Sequence, residues 1–169
     1  LIWLSTVTLL TYVILKTPDY AHLTFSLNAN FLTTGGFGSN QVSTIIGLGM
    51  FLSFYAWMNR LLFSGNHTLD ALFIGVFAYQ GFLTFSRGGM LIGVGAIIIY
   101  YLILKKTSSV EKFPKVKALR PFQLFSFAMI IIIISYALIQ NITDGNLALR
   151  YLGETSTTLS GSKLKTINT

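Results

Sequence analysis

The chain is 169 residues long, 53% hydrophobic and only 10% charged, with a mean hydropathy of +0.67 and a formal net charge of +7. A soluble domain carries about a quarter of its residues as charges to cover its surface, so this composition excludes an ordinary soluble domain and predicts an all-α, polytopic transmembrane bundle. The lack of cysteine excludes disulfides and thiolate metal sites, and half of the Lys and Arg sit in one block between two apolar runs, which assigns the positive charge to membrane topology rather than to nucleic acid.

In chain order, Leu1 to Leu15 predicts the latter part of a span, short of the roughly 20 residues a crossing needs. No basic segment precedes it, which argues against a signal peptide, and the chain ends in a polar stretch from Thr155 to Thr169. The 169 residues therefore read as one transmembrane domain fragment of a larger membrane protein. Lys16 to Ser43 is a polar interval; within it His22 to Leu27 alternates weakly, consistent with a strand or a short interfacial helix, and Gly35-Gly36-Phe37-Gly38 leads into Ser39-Asn40-Gln41. A second span is predicted over Thr44 to Phe63, with Gly47 and Gly49 offering close helix contact. Ser64 to Thr68 is a turn, and a third span covers Leu69 to Phe85. The fourth, Gly89 to Leu104, opens with Gly89-x-x-x-Gly93, a small-residue face for another helix. After the basic loop Lys105 to Arg120, a fifth span runs from Phe122 to Gln140, and 141–169 is the start of a polar outer loop.

The stretch from Leu83 to Met90 organises the rest. Arg87 interrupts a run from Leu72 to Leu104 that is too long for one span, and a charge at the bilayer centre costs about 2.5 to 3.5 kcal/mol on insertion scales. Ser86-Arg87-Gly88-Gly89 is therefore read as a tight cationic turn at the membrane face. Such a turn is either a plain loop among lipid phosphates or an anion site, in which a guanidinium acts beside glycines that let a phosphate approach the backbone.

Orientation follows from Lys and Arg near the span ends. Arg60 and the basic loop 105–120 lie on one side, which predicts that side as cytoplasmic; Lys16, Arg87 and Arg150 lie on the other. Arg87, the 35–40 loop and the segment from Asn141 thus share the outer face. There Asn40 lies near a helix amino end that attracts anions, and Arg87 with Arg150 could clamp a diphosphate through guanidinium forks. His22 and His67 fall on opposite faces and cannot share a metal; His67 and Asp70 read as a solvated helix-spaced pair. Asn66-His67-Thr68 and Asn141-Ile142-Thr143 fit the glycosylation pattern with no other support. Asp19, Asp144 and Glu154 are scattered, so no metal or other cofactor is expected.

Phe85-Ser86-Arg87-Gly88-Gly89 at the outer start of a span, Gly38 to Ser43 leading into an earlier one, and Arg150-Tyr151 after the last together resemble the bacterial O-antigen ligase and O-antigen polymerase superfamily. The resemblance runs over nearly the whole chain. It implies a multi-pass glycosyltransferase of the bacterial inner membrane, working in lipopolysaccharide or polysaccharide biosynthesis. The donor would be a glycan on undecaprenyl diphosphate, and the acceptor a glycan or lipid A-core, with membrane lipids around it. By the match, Arg87 and Arg150 hold the donor diphosphate, with Ser86, Gly88, Gly89 and Asn40 beside them as substrate-binding residues. The family's catalytic histidine lies in a large outer loop; no histidine follows Arg150, so the catalytic residue is unknown and the fragment is expected to be inactive alone. The competing reading is a non-enzymatic transporter or flippase fragment whose Arg87 binds an anionic substrate, although no internal repeat supports it.

Overall fold

A computed structural model of the chain describes residues 1–18, 32–61, 65–108, 119–143 and 145–152. Among these residues the secondary structure is entirely helical: α1 (Ile2–Lys16), a 3-10 turn (Leu32–Thr34), α2 (Ser39–Asn59), α3 (His67–Leu83), α4 (Arg87–Ser108), α5 (Leu119–Ile142) and α6 (Asn146–Leu152). Long apolar runs form helices because in lipid each backbone N–H and C=O must be satisfied within its own segment. Three helices, Ser39–Asn59, Arg87–Lys106 and Phe122–Ile142, are long and apolar enough to cross a membrane. The other two apolar helices are shorter, with α1 having 15 residues and α3 having 17.

α2 is the hub, packing on α1, α3 and α4 and touching α5. Half of its spanning window is buried, against 22% for α4 and for α5. Those two helices turn large apolar side chains outward instead, such as Ile92, Ile99 and Ile103 on α4 and Phe127, Ile133 and Ile134 on α5, as lipid contact requires.

The α2–α4 contact rests on small residues. Ser43 and Gly47 interleave with Gly89 and Gly93, so that a Cβ added at Gly93 would stand 2.9 Å from both Cα and O of Gly47, and one at Gly47 would meet the Gly89 carbonyl oxygen at 2.5 Å. Only hydrogen at these positions lets the two backbones touch. Gly49 serves another pair of neighbours, since its added Cβ would meet the Phe77 ring of α3 and the Thr6 hydroxyl of α1. At the far end of the pair Asn59 donates to the Tyr100 hydroxyl at 2.7 Å, so α2 and α4 run parallel.

α3 runs back along α2: Phe77 meets Gly49, and Gly81 faces Ile46 and Met90. α1 starts at the far end, where Trp3 donates to Ser53 at 2.9 Å and lies edge-on to Phe73. α5 joins at that end through Phe125, stacked 4.1 Å from Tyr101, and then climbs along α3 to Tyr136, 5.5 Å from Phe82.

The helix ends differ from the apolar runs in instructive ways. α2 begins at Ser39, ahead of the expected Thr44, because one face of its polar start is buried against the bundle: Ser39 and Ser43 are both buried, while Asn40 and Gln41 face out. It ends at Asn59, before the expected Phe63, where Arg60 adopts a left-handed φ of 56° and Leu61 N–H bonds back to Ala56. The α3–α4 reversal comes before the glycines, over Thr84 to Ser86, and not at Arg87-Gly88-Gly89, which form the first turn of α4. The left-handed residue there is Phe85, with φ 55° and its side chain fully buried. Gly89 is needed for packing on Ser43, a role that outranks turn formation. At the start of α3, Asn66 caps the helix by accepting from Thr68 N–H at 3.0 Å. Asp70 is fully buried rather than solvated, one helical turn in. His22, the basic residues 109–118 and the segment 153–169, with Asp19, Asp144 and Glu154, lie outside the described residues.

Candidate functional site

Five connections bring the polar sequence features to one end of the bundle. Ser43 on α2 donates to the Ser86 hydroxyl at 2.7 Å, and Ser86 donates to the Asn40 side-chain oxygen at 2.8 Å. Thr33 in the 3-10 turn donates to the Leu83 carbonyl at the end of α3 at 2.9 Å, and Gln80 donates to the Thr33 carbonyl at 3.0 Å. Tyr12 of α1 packs against Phe37 with ring centres 5.6 Å apart. The segment leading into α2 is thereby tied to the hairpin that carries Arg87.

Arg87 is the first residue of α4 and is half-buried. Ser86, directly before it, is buried and committed to the hydrogen-bond chain with Ser43 and Asn40, which holds the hairpin against α2. Ser86 also donates its backbone N–H to the Thr84 hydroxyl at 3.3 Å, and that hydroxyl donates to the Gly81 carbonyl at 2.7 Å, which ties the turn to the end of α3. Gly88 is exposed, with nothing within 4 Å of where its Cβ would stand, and Gly89 lies against the Ser43 backbone. Asn40, in the first turn of α2, is exposed.

The electrostatics of this end favour an anion. The parallel helices α2 and α4 both present their amino ends here, neither with an acid in its first turn, and α2 has Gly38 as N-cap with no side-chain cap. Helix amino ends carry partial positive charge and unpaired N–H groups, and Arg87, the first residue of α4, adds a full charge at this end. Among the described residues no group of three His, Asp or Glu side chains could hold a metal ion.

Arg150 lies in α6, whose backbone is described while the Arg150 side chain is not. α6 itself was absent from the sequence reading. It is fixed by Gln140, whose side chain accepts from Ala148 N–H at 2.9 Å and donates to the Gly145 carbonyl at 3.2 Å, after Gly145 turns the chain at φ 86°. Leu147 is buried, and Tyr151, four residues on, packs with Phe82 and Tyr136 at 6.2 and 6.3 Å between ring centres. That apolar i, i+4 pair after a glycine was the available signal for the helix. Burial raises the Tyr151 hydroxyl above its ordinary pKa, the nearby Tyr136 adds to this, and the Arg87 charge opposes it. The contact of Tyr151 with Phe82, in the last turn of α3, brings α6 to the same end as the α3–α4 hairpin.

Sequence reasoning also passed over Thr33 and Gln80, which carry no motif, and gave Ser43 no role beyond its place at the end of the Gly38 to Ser43 motif. Their role is visible only once α2, the 3-10 turn and α3 are side by side. No family model, no curated protein and no solved structure matches the chain.

Proposed function

We propose that the chain is part of an inner-membrane glycosyltransferase of the O-antigen ligase or polymerase type, with five spans, whose outer end binds the diphosphate of an undecaprenyl-diphosphate-linked glycan and passes the glycan to a glycan or lipid A-core acceptor. The observation that carries this reading is the convergence of Arg87, the paired amino ends of α2 and α4, and α6 on one end of an apolar bundle. Breaking the bond between sugar and diphosphate builds charge on the leaving diphosphate, which fixed cations and oriented N–H groups stabilise as a metal ion would. Arg87 is suited to grip it through a planar fork, Gly88 leaves room over the first turn of α4, and the Ser43–Ser86–Asn40 chain keeps that turn in place. Arg150 supplies a second guanidinium from α6 on this reading. The outward-facing apolar side chains of α4 and α5 suit contact with lipid, including a polyprenyl tail. The acceptor hydroxyl must lose a proton, and the group that takes it belongs to a histidine-bearing outer loop that the family resemblance implies.

The test is transfer of a radiolabelled glycan from undecaprenyl diphosphate to acceptor by the full-length protein in proteoliposomes. Transfer should persist in excess EDTA. Movement of the lipid-linked glycan across the bilayer without transfer would instead support the transporter reading.

The same reading places the basic loop 105–120 in the cytoplasm. Single cysteines at Ser109 and Ser156 are expected to differ in intact spheroplasts, with only Ser156→Cys reacting with an impermeant maleimide. Labelling of Ser109→Cys alone would invert the topology.

A further inference from the structure

Tyr151 has a feature that packing does not explain. Its hydroxyl oxygen is buried, and no hydrogen-bond partner for it exists among the described residues. A buried polar group without a partner costs roughly 1 to 3 kcal/mol of desolvation, so a phenylalanine would pack as well at lower cost. The ring is accounted for by Phe82 and Tyr136. The oxygen is not.

Its surroundings define what would satisfy it. Phe82 lies in the last turn of α3, just ahead of the Thr84 to Ser86 reversal, so the Tyr151 ring stands beside the hairpin that ends in Arg87. The Arg87 charge acts on the phenol, and both residues belong to the end of the bundle where α2 and α4 present their amino ends. Such an end concentrates anions. Because burial outweighs the Arg87 charge, the phenol stays protonated at neutral pH, and it can serve as a donor but not as a base.

We propose that the Tyr151 hydroxyl donates a hydrogen bond to an anionic oxygen of the prenyl diphosphate held by Arg87, making Tyr151 a substrate-binding residue. This rests on the reading of the Arg87 end as a diphosphate site. It also gives α6 a function, which is to bring a neutral donor against one side of the ligand while Arg87 supplies the charge.

The experiment measures thermal unfolding of the full-length protein in detergent with and without farnesyl diphosphate, a soluble prenyl diphosphate, for the parent, Tyr151→Phe and Arg87→Ala. Tyr151→Phe keeps the ring and removes only the hydroxyl. Its ligand-free Tm should equal or slightly exceed that of the parent, while its Kd for farnesyl diphosphate should rise roughly ten-fold, as expected for loss of a hydrogen bond to a charged acceptor. A ligand-free Tm well below the parent would mean that the hydroxyl has a structural partner and would overturn the proposal. An unchanged Kd in Tyr151→Phe alongside weakened binding in Arg87→Ala would overturn the proposal alone. Unchanged binding in both variants, or no binding by the parent, would remove the diphosphate site itself.

Discussion

Arg87→Ala should lower glycan transfer from undecaprenyl diphosphate by roughly ten- to a hundred-fold, the equivalent of about 1.5 to 3 kcal/mol for a charge-assisted, bidentate contact. Arg87→Lys should retain part of the activity, because it keeps the positive charge and gives up only the planar fork. The structure sharpens this expectation. Arg87 opens α4 at half-burial, at the end of the bundle where α2 also begins and where its charge acts on Tyr151, so no other described residue occupies an equivalent place. Both variants should insert normally, because the hairpin is held by Ser86, Ser43 and Asn40 rather than by the guanidinium. Transfer at the parent rate by a correctly inserted Arg87→Ala protein would reduce Arg87 to an interfacial anchor.

The largest stability effect is expected from Gly93→Leu. A side chain there must enter the space held by the Gly47 Cα and carbonyl oxygen, 2.9 Å from the added Cβ, and by the Met50 terminal methyl at 3.0 Å. The methionine can move aside, but the backbone of α2 cannot move without separating the two helices. Overpacking of this kind costs typically 1 to 3 kcal/mol, and with backbone as the obstacle the upper end applies, or a fall in Tm of roughly 6 to 12 °C for a domain of this size. Gly95→Leu is the matched control on the same helix, since nothing lies within 4 Å of its added Cβ and its Tm should barely change. Because leucine is the better helix former, propensity opposes a loss at either position, and equal losses at both would mean that the α2–α4 contact does not govern the effect.

The apolar runs were legible because lipid contact and protein core both select the same residue types, so Phe122 to Gln140 marked α5 to within a few residues of its observed ends. The α2–α4 contact was legible for a similar reason, as Gly89-x-x-x-Gly93 has few uses on a spanning helix other than close approach. The start of α2 was hidden because Ser39, Asn40 and Ser43 look like loop residues until Ser39 is seen to be buried and Ser86 to bond with both Ser43 and Asn40. The reversal at Phe85 was hidden more deeply. A bulky residue at positive φ is disfavoured locally, by roughly 1 to 3 kcal/mol, and only the complete burial of its ring makes the conformation hold. At the candidate site Arg87, Ser86 and Asn40 could be singled out from charge and motif, whereas Tyr151 required the tertiary contacts of α6 with Phe82 and Tyr136.

The reversal between α3 and α4 has no slack. Leu83 ends one helix and Arg87 begins the next, with Thr84, Phe85 and Ser86 each already committed by a backbone bond, a buried ring or a side-chain bond. Each residue of an α-helix turns the chain by about 100° and advances it by about 1.5 Å. If the α3 anchor held and one residue were added to the turn, α4 would have to absorb it by rotating about its own axis. Gly89 and Gly93 would then leave the groove of Gly47, and Arg87 would sweep away from Tyr151 toward lipid. The number of residues in this connection thus fixes the phase of α4, and the spacing specifies where Arg87 points as firmly as any single side chain does.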